Sequence, residues 1–366
     1  MNTFFFCLLF ITTNLFKSML YSEDIWEIAF IYNEIDQKGL FSHDVVIVSA
    51  YFPLNKSKHL KSEYVIWIRS FLRIINCKTI IYTTNTFYEQ FYRKEASKLF
   101  KGRQKLFNFN CSFNDIYDVP IMRNLSNAYK QMHKIDPEKS HHYPELYAIW
   151  NSKIYFLRES TLIYPNETFY FWVDSGSVRD QFFSNLFDSF GIRCDKPTDE
   201  MKCTYVSFPS NYFTEKILQY NNPPLEICIF FVNPFILTKY NSKRTVNNII
   251  EGTSFFGSKK GIHKFYEAFW EVHNSWLDKH IFCGKDQQIY DNVLANYFNK
   301  INFYVFPAYR AKNAKVDKWF AFWSAFSNYN PYYIPDKLLL PSYFLDNKIS
   351  ALYRNLILKY KYLLLY

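Results

Sequence analysis

Phe169-Tyr170-Phe171-Trp172-Val173-Asp174-Ser175-Gly176-Ser177 is the stretch that decides the fold. An apolar, aromatic run ends abruptly in an acid, small residues and a glycine. Continuous bulky residues without polar alternation predict a strand buried on both faces, the kind found in parallel sheets covered by helices. In open α/β sheets ligands bind in the crevice outside the carboxyl ends of the strands. Asp174 would be delivered to that crevice, where a carboxylate can hold a metal-bound diphosphate or a sugar hydroxyl. The same residue also fits a plain turn cap at the strand end.

Upstream, His43-Asp44-Val45-Val46-Ile47-Val48-Ser49-Ala50-Tyr51-Phe52-Pro53 reads as a second buried strand, and Lys78-Thr79-Ile80-Ile81-Tyr82-Thr83-Thr84-Asn85 as a third. Between them Tyr64, Trp67, Ile68, Phe71, Leu72 and Ile75 recur at helical spacing. Strand, helix and strand with continuous apolar strands begin a parallel α/β sheet. Helices are expected over 22–38, 86–100, 261–279 and 285–299, within the polar stretch 120–140, and from Pro144 through Leu157 and Leu162. Short strands are expected at Leu106-Phe107-Asn108-Phe109, Cys228-Ile229-Phe230-Phe231-Val232 and Phe303-Tyr304-Val305-Phe306. The fold class is therefore α/β, with a mainly parallel central sheet flanked by helices.

Hydrophobic residues make up 49% of the 366, enough for a sizeable core and against general disorder. Aromatics reach 21%, together with many Asn, Lys and Ile, so a single aromatic carries little functional weight. The net charge of +10 favours anionic partners. The basic residues are dispersed, with short clusters at Lys56–Lys61 and Ser258–Lys260, and no nucleic-acid recognition signature is present. The expectation is no nucleic-acid partner.

Cys7 lies in the apolar amino-terminal stretch, and the other six cysteines form no zinc spacing. An even number suits disulfides, with Cys194 and Cys203 the nearest pair, and equally suits buried thiols. Residues 1–20 have the length of a signal-peptide core or a short membrane anchor, and also fit a buried first helix. The expected location is the secretory pathway, with membrane attachment through the N-terminus.

Five segments in order resemble one family: Val46–Phe52, Trp150-Asn151-Ser152-Lys153, Phe171–Gly176, Gly252-Thr253-Ser254-Phe255-Phe256-Gly257-Ser258 and Gly284-Lys285-Asp286-Gln287. The resemblance is to the HtrL/YibB/WlaTC family of glycosyltransferase-like proteins, whose bacterial members are associated with surface polysaccharide. It implies a GT-A-like nucleotide-sugar transferase fold over 21–330, followed by a helical extension at 331–366. It further implies a UDP- or GDP-linked sugar donor and a glycan or glycolipid acceptor. Donor-side residues would be Ala50, Tyr51, Lys153, Asp174, Gly176 and Arg179. Sugar- and acceptor-side residues would be Gly252, Phe255, Phe256, Gly257 and Gln287, with the rings stacking on a sugar face and the glycines allowing close approach. Asp286 would act on the acceptor hydroxyl as catalytic acid or base, and it equally fits an ordinary helix-start carboxylate.

A divalent cation, Mn²⁺ or Mg²⁺, is expected on Asp174. The second acid of an Asp-x-Asp pair is missing from Asp174-Ser175-Gly176, however. Asp180 or Asp286 would then complete the shell, or a cation such as Arg179 or Lys153 would replace the metal. Arg179 also fits a surface ion pair with Asp180. The rival from another class is a catalytically inert protein that binds glycan or nucleotide.

Overall fold

The computed structural model describes residues 45–75, 77–95, 104–167, 169–179, 227–232, 250–297 and 301–307. The leader at 1–20, the helix expected over 22–38, Asp180, Cys194, Cys203 and the extension at 331–366 lie outside the described residues.

The strands are β1 (Val45–Tyr51), β2 (Lys78–Thr84), β3 (Phe107–Phe113), β4 (Phe169–Val173), β5 (Ile227–Val232), β6 (Ile250–Ser258) and β7 (Asn302–Pro307). The helices that position the site are α1 (Lys61–Ile74), α2 (Ser126–Ile135), α3 (Pro144–Ile163), α4 (Lys259–Asp278) and α5 (Asp286–Tyr297). The stretch expected to be helical after β2 begins as a short turn, Asn85–Phe87, and continues in π-helical form over Tyr88–Tyr92.

One seven-stranded sheet runs in the order β3-β2-β1-β4-β6-β5-β7. Only β6 is antiparallel to its neighbours β4 and β5; the other pairings are parallel. The expected α/β class with a mostly parallel sheet is therefore what the chain forms. The chain lays β2 and β3 on one side of β1 and β4 on the other, so strand order reverses between β1 and β4. Such a reversal opens a crevice at the carboxyl ends of the two strands.

Period two sorts each strand between the two faces of the sheet. Val46, Val48 and Ala50 of β1, with Tyr170 and Trp172 of β4, belong to the core shared with Ile154, Phe156 and Leu157 of α3. Tyr51 points to the opposite face, where its ring meets Tyr64 of α1 at 5.4 Å. Both faces are thus covered, which is why β1 and β4 read as unbroken apolar runs. Asp174 has the parity of Trp172 and so projects towards α3. That helix is buried nearly all round, including its polar Asn151, Ser152 and Lys153. Burial on all sides, rather than on one stripe, is the mark of a helix inside a core.

Gly252–Ser258, expected to approach the sugar or acceptor, belongs to the strand β6. Gly257 sits opposite Tyr170 on one side and Cys228 on the other. The expected disulfide framework does not extend to Cys77, Cys111 and Cys283, which are free thiols. Burial pushes Cys77 and Cys283 up to about 12. No described helix is long and apolar enough to cross a membrane.

Candidate functional site

Four elements converge at the carboxyl end of β4. Asp174 follows the strand and donates its backbone N–H to Thr253 O at 3.0 Å, which draws the start of β6 alongside. Ser49 Oγ donates to Val173 O at 2.6 Å, and Ser175 Oγ donates to Ala50 O at 3.0 Å. The two hydroxyls bind β1 to β4 across the crevice floor. Lys153, midway along α3, reaches into the same space.

The Lys153 ammonium donates to Gly252 O at 2.7 Å and lies 3.3 Å from Asp174 Oδ1 and 3.1 Å from Asp286 Oδ2. An ammonium has three protons and no acceptor, so three oxygens from β4, β6 and α5 account for its donors. The Trp172 indole donates to Asp174 Oδ1 at 2.8 Å, and its ring lies 5.8 Å from Lys153 Nζ. Asp286 Oδ1 accepts the Gln287 N–H at 2.8 Å at the start of α5. Gln287 donates its amide to Ile250 O at 2.7 Å, which fixes α5 to β6. The loop before α5 is held by an ion pair of Lys285 with Glu138 and by the Asn151 amide, which donates to Cys283 O at 2.9 Å.

The two carboxylates differ in environment. The Asp174 side chain is 32% exposed, whereas Asp286 and Lys153 are each 4% exposed. Burial would lower the Lys153 pKa, but Asp174 and Asp286 outweigh it and hold the amine above its ordinary value. Burial dominates at Asp286 and raises its pKa despite the pull of Lys153. Tyr290 lies against the pair. Its hydroxyl is driven well above its usual pKa by burial first and then by the charges of Asp286 and Asp174. The site is therefore a buried cation holding one enclosed and one crevice-facing carboxylate.

Beside Asp174 the crevice has an aromatic and cationic wall. The Arg179 guanidinium lies 4.5 Å from the Trp67 ring centre. His59 meets Trp67 edge-on at 4.9 Å, and Tyr64 meets it at 5.2 Å. Gly176 passes close to this wall: a β-carbon there would fall 3.2 Å from the Tyr64 ring. His59, Tyr64 and Trp67 were not anticipated as site residues. The helical spacing of Tyr64 and Trp67 marks only an inward face, His59 precedes the helix, and Trp67 serves as both core and wall.

The structure brings together Tyr51, Lys153, Asp174, Gly176, Arg179, Gly252, Asp286 and Gln287 of the residues expected here. Ala50 contributes a backbone carbonyl and a core-facing methyl. Phe255 and Phe256 do not reach the crevice. Phe256 stacks on Phe171 at 4.4 Å, Phe255 packs on Tyr290 at 5.2 Å, and both are buried in mid-strand, so neither can stack on a sugar. Gly257 lies in the same strand interior, away from the crevice. Gly252 serves Asp286 rather than a ligand: a β-carbon there would stand 3.0 Å from Asp286 Oδ2. Asp286, expected to act on the acceptor hydroxyl, is enclosed and paired with Lys153.

The donor set does not fit a divalent ion. Mg²⁺ demands about six oxygens at about 2.1 Å, and among the described residues an ammonium already stands between the two carboxylates, Asp174 and Asp286. No group of three or more His, Cys, Asp or Glu side chains that could hold a metal ion occurs among the described residues. A surface depression of about 540 Å³ along β3, lined by Asn85, Asn108 and Asn110 among others, shares no residue with the site and holds no charged side chain.

No family model and no curated protein matches the chain. Among solved structures, the crystal structure of a glycosyltransferase involved in the glycosylation of the major capsid of PBCV-1 is similar at 12% identity. The match covers 73% of this chain and 82% of that one with a TM-score of 0.32.

Proposed function

We propose that this protein is a glycosyltransferase of the HtrL/YibB/WlaTC kind, moving a sugar from a UDP- or GDP-linked donor to a glycan or glycolipid acceptor. The observation that carries the reading is Asp174. It is a partly exposed carboxylate at the crevice where strand order reverses, held in place by the buried Lys153 ammonium and the Trp172 indole. A carboxylate so fixed can orient sugar hydroxyls, because its position no longer costs conformational freedom when the sugar arrives. Arg179, with Trp67 behind it, supplies a planar cation suited to a diphosphate. Tyr64 and Tyr51 offer ring surface next to it. A GT-A-like arrangement asks for these parts at parallel strand ends. Residues 1–20 acting as a leader or anchor would bring the chain to a secretory compartment with glycan acceptors.

Calorimetric titration of UDP and GDP into the full chain tests this reading. Binding that Asp174→Ala or Arg179→Ala weakens supports it; no binding of either nucleotide sinks it. The enclosure of Asp286 favours a second reading, a protein that binds nucleotide or glycan without transfer. Turnover of a panel of UDP- and GDP-sugars separates the two. Binding without transfer or hydrolysis would establish the inert reading.

A further inference from the structure

Resting on that reading, we infer that the Lys153 ammonium is this site's own cation, so that the native protein binds its nucleotide without a divalent metal. Three oxygens from separate elements, Asp174 Oδ1, Asp286 Oδ2 and Gly252 O, converge on one point, as ligands do around a bound cation. The distances are those of an ammonium, 3.3, 3.1 and 2.7 Å, and the point is occupied by Nζ of α3. The nitrogen is enclosed, so water does not screen it from an incoming ion. A metal ion drawn to either carboxylate would have to settle beside this fixed positive charge and would be repelled by it.

Asp286 Oδ2 points in the same direction. It is buried 3.1 Å from the Lys153 ammonium, so the ion pair with Lys153 compensates its charge. Lys153 thus has a double effect. It neutralises an enclosed carboxylate that would otherwise demand a cation, and it leaves Asp174 as the carboxylate of the pair with surface in the crevice. The sign of the site agrees: burial would discharge the amine, and the two carboxylates prevent it. Charge developing on a departing diphosphate would then be met by the Arg179 guanidinium on the neighbouring wall.

The decisive measurement is Mn²⁺ binding to the full chain, followed by electron paramagnetic resonance, with UDP and GDP titrations run in EDTA and in Mn²⁺. The native protein is expected to show no Mn²⁺ signal that depends on Asp174, and the same nucleotide Kd in both media. Lys153→Ala opens a pocket with two carboxylates and a carbonyl, and is expected to acquire a Mn²⁺ site that Asp286→Asn removes. Lys153→Gln, closer in volume, serves if the alanine variant does not fold. Mn²⁺ uptake by the native protein that Asp174→Asn abolishes, or nucleotide binding lost in EDTA, would overturn the inference. Absence of all nucleotide binding would instead overturn the transferase reading, while the Mn²⁺ arm would still decide whether the lysine excludes a metal.

Discussion

Replacing Lys153 by Met keeps most of the side-chain volume and removes the charge, leaving Asp286 enclosed without its cation. Breaking a buried ion pair from one side costs about 3–5 kcal/mol, because the remaining charge stays buried and uncompensated. At about 2 °C per kcal/mol for a large domain, the melting temperature should fall by about 6–10 °C. The loss should depend on pH in a fixed direction. Burial already holds the Asp286 pKa up while Lys153 is present, and without the amine it rises further. A carboxylate whose folded pKa is raised favours the folded state when protonated, so the deficit of Lys153→Met is full at neutral pH and shrinks as the solution is acidified. The limiting slope is about 1.4 kcal/mol per pH unit. Lys153 works at the other end. Its raised folded pKa means its contribution is complete below the ordinary lysine value of about 10.4 and is lost as pH climbs through the folded one. Urea unfolding of both proteins at about pH 8 and about pH 5, followed by tryptophan fluorescence, measures the difference. The double variant Lys153→Met/Asp286→Asn removes both partners and should recover at least about 2 kcal/mol of the loss. A cost under about 1 kcal/mol at pH 8, or a deficit that grows on acidification, would refute the assignment of Lys153 as the buried partner.

Gly252→Ala puts a β-carbon 3.0 Å from both Asp286 Oδ2 and Gln287 Cγ. It should turn Asp286 off Lys153 and weaken nucleotide binding about tenfold, about 1.4 kcal/mol, in a protein that calorimetry still finds folded. Arg179→Ala should lower UDP or GDP affinity by a similar factor and flatten its dependence on salt. Arg179→Lys should recover little of the loss, since lysine lacks the planar fork that grips a diphosphate and stacks on Trp67. His273 is fully buried against the Tyr129 hydroxyl at 3.0 Å, and burial lowers its pKa to about 4. A depressed histidine contributes stability above the unfolded value of about 6.5 that drains away as pH falls towards 4, about 3 kcal/mol in all. His273→Gln should remove that part of the acid limb in denaturant titrations across this window.

The sheet was legible because parallel strands covered on both faces need only a short continuous apolar run, which β1, β2 and β4 display without any knowledge of their partners. The carboxyl end of β4 was legible for the same reason: the apolar run stops at Asp174. β6 was not. Two glycines with Thr253 and Ser254 carry weak strand propensity, and only the strands on either side make a ladder of them. Tertiary pairing overrides local preference there. With no strand expected there, Phe255 and Phe256 looked free to stack on a ligand, whereas each faces a ring of the core.

Lys153 was already among the donor-side residues expected from the resemblance, but its burial and its three partners could not have been read from the chain. Lys153 and Gly252, bonded in the fold, stand 99 residues apart in sequence, and nothing local distinguishes this lysine from a solvated one on a helix. Its meaning comes from three placements at once: α3 packed across β1 and β4, β6 lying antiparallel beside Asp174, and α5 starting against Gly252. The second acid absent from Asp174-Ser175-Gly176 is supplied in space by Asp286, but it arrives together with its own counter-ion. Two acids adjacent in sequence would share one exposed turn and could both coordinate a metal. Two acids brought from different elements around a buried amine are held apart in environment, one enclosed and one facing the crevice. The motif's departure and the lysine's burial are therefore one feature, and of the two carboxylates they leave only Asp174 facing the crevice.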